Sequence, residues 1–427
     1  MDNQNASAAG VSFAEALRVF ARIGLLSFGG PAGQIALMHR EIVEQRGWLS
    51  EKEYLSALNF CMLLPGPEAM QLATYAGWKL HGTRGGLMAG LLFVLPGALV
   101  VLALTMLYAA YGRLPLIEAL FYGIKAAVLA IVLEALLRVA KRALRTRADW
   151  LIAGLAFLAL FAFGLPFPLV IVAAAAIGFW RGSPVAEEHA ERLPPLGNLF
   201  RTVAVWGAVW LVPLALLALL LGPHHVLTEL GVFFSKLAVV TFGGAYAVLS
   251  YMAQAAVETQ GWLTAREMID GLALAETTPG PLILVTEFVG YFAGYRETGS
   301  VWGGLAGALV TVWMTFAPCF LWIFAGAPYI EAIGRRPRLS GALSAITAAV
   351  VGVILNLSLW FGLHVLFGHV ERLSGWFRPW MPDWGQIDLF SLGLTMLAAL
   401  ALLRFHLCIL GTLGLCAVLG AAWRLLA

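Results

Sequence analysis

The 427-residue chain is 61% hydrophobic and 12% charged, with 27 basic side chains against 24 acidic ones. A soluble domain carries about 25% charged residues, so a water-coated enzyme, a nucleic-acid binder and a disordered chain are excluded. The charges cluster between apolar runs of bilayer-crossing length, about 20 residues each, which reads as an all-α polytopic membrane protein lying in a lipid bilayer.

The predicted spans in the first half are Phe13–Phe28, Tyr54–Leu80, Gly85–Tyr111, Leu116–Ala140, Trp150–Phe163 and Pro166–Trp180. The polar, proline-containing stretch Arg181–Gly197 follows and reads as a linker. Then come Leu199–Leu221, Val226–Phe242, Met268–Ala293, Val301–Ala325, Leu339–Leu366, Leu389–Leu403 and Leu407–Leu426, thirteen in all. Met1–Gly10 is polar and has no basic stretch before an apolar core, so a cleaved leader is not expected. Cys61, Cys319, Cys408 and Cys416 lie in apolar stretches without metal-ligand spacing and read as small core hydrophobes.

An internal repeat organises the chain. Phe28-Gly29-Gly30 recurs as Phe242-Gly243-Gly244, Gly47-Trp48-Leu49 as Gly261-Trp262-Leu263, and Pro65-Gly66-Pro67 as Pro279-Gly280-Pro281, each at a separation of 214. Met38, Glu44, Glu53 and Leu58 recur at Met252, Glu258, Glu267 and Leu272 in the same register. The predicted division is a first repeat over 1–181, a linker and connecting helix over 182–225, and a second repeat over 226–427. Lys141, Arg142, Arg145 and Arg147 follow one span, whereas Arg335, Arg336 and Arg338 precede its counterpart. With both clusters facing the cytoplasm, equivalent helices run in opposite directions. The unpaired span Leu199–Leu221 agrees with that, and the expectation is an inverted-topology repeat with a cytoplasmic N-terminus and a periplasmic C-terminus.

The motifs that could carry chemistry are helix breakers. Proline removes a backbone donor and glycine loosens the helix. In lipid such breaks are tolerated where the backbone is buried in protein or lines a cavity. Gly29, Gly30, Pro31, Pro65, Gly66 and Pro67, with Gly243, Gly244, Pro279, Gly280 and Pro281, predict a midplane site. Its half-helix N-termini would face an anion; the plainer reading is a set of packing kinks. Arg22 and Lys236 each stand six residues before their Phe-Gly-Gly motif and are candidate cations for the same site, unless they snorkel or pair with an acid such as Glu15. Gln34 is a candidate polar neighbour. Glu68, Glu276 and Glu287 flank the Pro-Gly-Pro motifs and are candidate coupling carboxylates; a helix-end or ion-pair role is the alternative. Lys125 and Glu134 share a span, and Glu134 stands four residues before Arg138, which favours a local pair. The segments His39–Glu53 and Gln254–Glu267 read as interfacial helices, gates or solvated loops. No metal-ligand cluster, cofactor fingerprint or hydrolase motif is present in the sequence.

FGGPAGQIALMHREIVEQRGWLSEKEYL, followed by LLPGPEAMQLATYAGWKLHGTRGGLMAG, resembles the signature half of the chromate ion transporter family. FGGAYAVLSYMAQAAVETQGWLTAREMIDGLALAETTPGPLILVTEFVGY resembles the other half of its long, two-domain form. The resemblance implies a bacterial inner-membrane exporter of chromate that confers resistance, with sulfate as a close analogue and coupling to an ion gradient, protons foremost. It carries the glycine–proline motifs over as site residues. Ala245 in place of proline and Leu282 in place of glutamate set the second half apart. A sulfate importer or other anion exchanger stays open, as does a membrane enzyme or sensor such as a chromate reductase, although no redox site supports it. A homodimer is allowed and not required.

Overall fold

The computed structural model describes residues 10–28, 30–182, 196–241, 245–330 and 337–426. Gly29, Gly243, Gly244, Arg335, Arg336 and most of the predicted linker lie outside the described residues.

The first half begins with α1 (Phe13–Leu25), started by the Ser12 hydroxyl accepting from Glu15 N–H. Next is α2 (Gly30–Met38), which runs directly into a wider π turn, His39–Glu44. Gly47 takes φ +61°, and a Ser50–Glu53 capping box opens α3 (Glu51–Leu63). Leu64 to Pro67 is non-helical. The chain resumes as α4 (Glu68–Tyr111), which changes direction at His81 and Gly82, where φ reaches +59°. Then come α5 (Pro115–Ala143), α6 (Arg147–Phe161) and α7 (Phe167–Arg181).

After α8 (Leu196–Leu221) the order returns. It runs α9 (Val226–Val240), α10 (Ala245–Gln254) with a π turn at Ala255–Thr259, and α11 (Ala265–Thr277). A 3-10 turn at Leu282–Leu284 leads into α12 (Val285–Thr298), followed by α13 (Val301–Gly326) and α14 (Pro337–Leu366). The last elements are β1 (Val370–Arg372), β2 (Trp380–Pro382), α15 (Leu389–Leu403) and α16 (Ile409–Leu426). β1 and β2 pair antiparallel with Glu371 opposite Met381, a small sheet that apolar periodicity did not announce.

Among the described residues six helices are long and apolar enough to cross a membrane: Glu68–Tyr111, Pro115–Ala143, Asn198–Leu221, Val301–Tyr329, Gly341–Leu366 and Ile409–Leu426. Phe167–Arg181 and Leu389–Leu403 are shorter apolar helices. Thirteen apolar segments become fewer long helices because breakers cut several of them. Tyr54–Leu80 resolves into α3 and the 68–80 limb of α4, and Met268–Ala293 into α11 and α12. The buried breaks at 64–67 and 278–281 account for both cuts, since proline cannot continue the i to i−4 ladder.

The chain forms two compact units, each drawing on both halves. The first comprises Met1–Ala103, Pro184–Ala245 and Thr278–Pro337. In it α12 lies against α13 through Gly290 and Gly294 facing Gly307 and Gly303, and the two limbs of α4 meet at Gly77 and Gly85. Any side chain there would strike a backbone carbonyl, so small residues set the helix separation. The second comprises Leu104–Ser183, Tyr246–Thr277 and Arg338–Ala427. There α5 meets α16 at Gly123 and Gly420, and α7 meets α14 at Gly178 and Gly341.

Candidate functional site

The breaks converge inside the first unit. Ser27 ends α1, its hydroxyl donating back to Ile23 O at 2.6 Å; Thr241 ends α9 and donates to Leu237 O at 2.6 Å. Each leaves its own backbone carbonyl turned away from its helix. Gly280 N–H donates to Ser27 O at 2.9 Å, and Gly66 N–H donates to Thr241 O at 2.8 Å. Ser27 and Thr241 are 214 residues apart, as are Gly66 and Gly280. The break in one half is therefore closed by the break in the other, in an exchange that has the form of a two-fold contact. Buried non-helical backbone finds hydrogen bonds within the protein in this way.

Both central glycines take φ values that side chains resist, +122° at Gly66 and +92° at Gly280. A Cβ on Gly66 would lie 2.7 Å from Gln71 Nε2 and 2.8 Å from Cys319 Sγ. One on Gly280 would lie 3.0 Å from Leu284 Cδ1 and 3.2 Å from Gly97 Cα. Gly97 and Cys319 each follow a proline inside a long helix, Pro96 in α4 and Pro318 in α13.

Two buried amides complete the cluster, both from the first half. Gln34 on α2 donates through Nε2 to Gly280 O at 2.6 Å and to Ser27 O at 3.2 Å. Gln71 donates to Pro65 O at 2.7 Å, and its Oε1 is buried without a hydrogen-bond partner among the described residues. The positions 214 residues on are Val248 and Val285.

Pro65, Gly66, Pro67, Pro279, Gly280 and Pro281 are all buried, and Pro31 is half-buried beside Gly30, which takes φ +70°. The N–H groups of Gly66 and Gly280 are consumed by the reciprocal bonds. The start of α2 supplies other donors, since Gly30 and Ala32 stand in a first turn with no intrahelical acceptors. Arg22 is exposed, and its Nη2 lies 3.9 Å from Oε1 of the buried Glu41; Arg46 Nη1 reaches Glu41 Oε2 at 2.7 Å. The acid partner of Arg22 is thus Glu41 rather than Glu15, and two cations share one carboxylate. Lys236 is exposed on α9. Glu68 is half-buried at the first position of α4, and Glu276 half-buried in the last turn of α11. Glu287 is 4% exposed, with Oε2 lacking a hydrogen-bond partner among the described residues.

Sequence reasoning missed Ser27, Thr241 and Glu41. A small hydroxyl residue directly before Phe-Gly-Gly in both halves was the available signal for the first two. No group of three or more His, Cys, Asp or Glu side chains suited to a metal ion occurs among the described residues.

Long apolar helices with internal glycine and proline breaks define a multi-pass membrane protein. The family model described as chromate transporter matches residues 14–179 and 228–421. The chain belongs to that family, whose members are transporters and not enzymes. It is 30% identical over 385 residues to a probable chromate transport protein of Synechococcus elongatus, covering 86% of this chain and 90% of that one. It is 31% identical over 341 residues to a chromate transport protein of Cupriavidus metallidurans (78% and 79% of the two chains). It is 33% identical over 362 residues to a chromate transport protein of Pseudomonas aeruginosa (81% and 80%). No solved structure matches the chain.

Proposed function

We propose that this protein carries chromate, a tetrahedral dianion, out of the cell across the inner membrane by alternating access, with a proton gradient as the drive. The observation that carries the reading is the reciprocal closure of the two Pro-Gly-Pro breaks on Ser27 and Thr241. It supplies non-helical backbone inside a membrane protein, the setting in which half-helix N-termini meet an anion. The two halves act as copies in opposite orientation, an arrangement supported by the matching registers and by the single connecting helix α8. The N-terminus is cytoplasmic and the C-terminus periplasmic, consistent with the basic cluster from Lys141 to Arg147 after α5.

The anion approaches the first turn of α2, where N–H donors and the positive helix end favour it. Arg22 and Arg46 outnumber Glu41 by one charge near that end of α1, and Lys236 adds a cation from the other half. The glycines of the Pro-Gly-Pro motifs hold the breaks open, and Gln34 keeps Gly280 against Ser27. Glu68, Glu276 and Glu287 are the carboxylates nearest in sequence to the breaks and stand as coupling candidates.

Chromate flux in everted membrane vesicles tests the reading. Arg22→Ala and Pro65→Ala are expected to abolish chromate transport while the protein remains in the membrane. Wild-type flux in both variants would overturn the site. Full competition by sulfate at equal concentration would widen the substrate to tetrahedral dianions in general.

A further inference from the structure

The second unit holds a buried charge cluster that the glycine–proline site does not use. Lys125 lies in α5, ten residues or about 15 Å from its start. Its Nζ is 3.0 Å from Oδ1 of Asp270 on α11, with the lysine side chain 14% and the aspartate 2% exposed. Tyr108, near the end of α4, donates its hydroxyl to Asp270 Oδ2 at 2.6 Å. The tyrosine ring is seated edge-on against Phe121 of α5 at 5.2 Å. Among the described residues Oδ1 has its ion-pair contact with Lys125 and no other partner.

The other charges around Asp270 have partners of their own. Arg266 and Glu267 lie on α11 itself; Arg266 pairs with Glu118 of α5 at 3.3 Å, and Glu267 accepts from Thr264 N–H at 2.9 Å. Glu258, in the π turn packed on α11, pairs with Arg372 at 2.7 Å. Glu276 stands in the last turn of α11. The charge facing Asp270 is therefore set by Lys125.

Two arguments separate this pair from scaffold. Apolar side chains of similar volume would hold α5 and α11 together at least as well as a buried ion pair. The Ser50 and Thr264 caps and the left-handed Gly47 and Gly261 recur at a separation of 214 on either side of this region, yet the position matching Asp270 is the exposed Ser56. An unduplicated buried ionisable pair between α5, a candidate membrane-crossing helix, and its neighbour α11 points to transport chemistry. Its place in the chain fits that. α11 belongs to the second unit and ends at Thr277, and the Pro279-Gly280-Pro281 break that follows belongs to the first.

We propose that Asp270, held by Lys125 and Tyr108, is the proton-carrying group of the transport cycle. A proton binds the carboxylate, its charge is lost, and Lys125 is left without a counter-charge. That releases α11 from α5 and with it the segment leading into the second break. Loss of the proton on the other side restores the pair, so one proton moves per cycle at this site. The inference rests on the proton-coupled reading above and assigns it to a residue outside the breaks.

Purified protein in proteoliposomes distinguishes the alternatives. Two quantities are read: chromate counterflow at equal pH, and chromate accumulation driven by an imposed pH gradient. Asp270→Asn and the doubly neutral Asp270→Asn/Lys125→Gln are expected to retain counterflow and lose pH-driven accumulation. Tyr108→Phe is expected to retain both and to shift the pH profile of accumulation toward alkaline values. pH-driven accumulation at the wild-type level in the double variant overturns the assignment, and so does parallel loss of both quantities in the two Asp270 variants. Wild-type counterflow without pH-driven accumulation overturns the coupling reading and this assignment together. Absence of wild-type counterflow overturns the transport reading itself.

Discussion

The stretch from Met38 to Glu53 and the stretch 214 residues later turn through the same backbone with different side chains. Both leave an α-helix through a π turn, His39–Glu44 in one and Ala255–Thr259 in the other. Both then pass a left-handed glycine, Gly47 at φ +61° and Gly261 at φ +63°. Both start the next helix with a hydroxyl and glutamate exchanging bonds, Ser50 with Glu53 and Thr264 with Glu267. The charges differ. The first stretch buries Glu41 between two arginines and ties His39 to Glu44 and Glu51, whereas the second has Ala255 and Ala253 at those positions. The backbone was kept where geometry demanded it, and the electrostatics were free to specialise.

The largest test of this division lies at the breaks, where both halves need glycine. Gly66→Ala and Gly280→Ala are each expected to abolish chromate flux in vesicles and to lower thermal stability. The left-handed backbone alone costs an alanine about 1–2 kcal/mol. Gly66→Ala should cost more, because its Cβ falls 2.7 Å from the Gln71 amide that holds Pro65 O. Equal flux in Gly280→Ala and wild type would show that only the first break is needed. A smaller effect is expected at the caps. Ser50→Ala and Thr264→Ala should each cost about 1 kcal/mol in thermal or denaturant unfolding, and unequal losses would mean that the two caps carry different loads.

The smallest effect separates the halves by pH. The hydrogen bond to Glu51, 2.6 Å from Nε2, outweighs burial and, with Glu44, raises the His39 pKa above its ordinary 6.5. A raised value means that the protonated ring stabilises the fold fully below 6.5, and that this contribution is lost as pH rises through the raised pKa. Amide exchange over residues 39–51, corrected for its intrinsic pH dependence, should accelerate across that window. His39→Ala should remove the effect, and the stretch beginning at Ala253 should show none.

Much of this was legible because glycine and proline act locally. The Pro-Gly-Pro motifs announced where helices stop, and the register of 214 announced which stops correspond. Glu134 beside Arg138 was legible too, since a spacing of four puts both on one helix face, and the two do pair. Partnerships across the chain were not. Lys125 and Asp270 are 145 residues apart, and nothing near either residue names the other. Glu41 stood in a charged stretch that reads equally as interfacial helix, gate or solvated loop, and the structure places it in the π turn, buried between Arg22 and Arg46. Apolar length alone also failed to separate a full crossing from two half-length helices joined by a buried turn, as at α3 and the 68–80 limb of α4.

The crossed hydrogen bonds carry a consequence for how much of the chain must be present together. The carbonyl of Ser27 and the amide of Gly66 both belong to the first half, and both find their partners in the second. A polypeptide ending after α7 would leave that donor and that acceptor unmet inside lipid, at several kcal/mol for each group. A half-length chain of this kind would therefore need a second molecule with the complementary donor and acceptor beside it to insert without that cost.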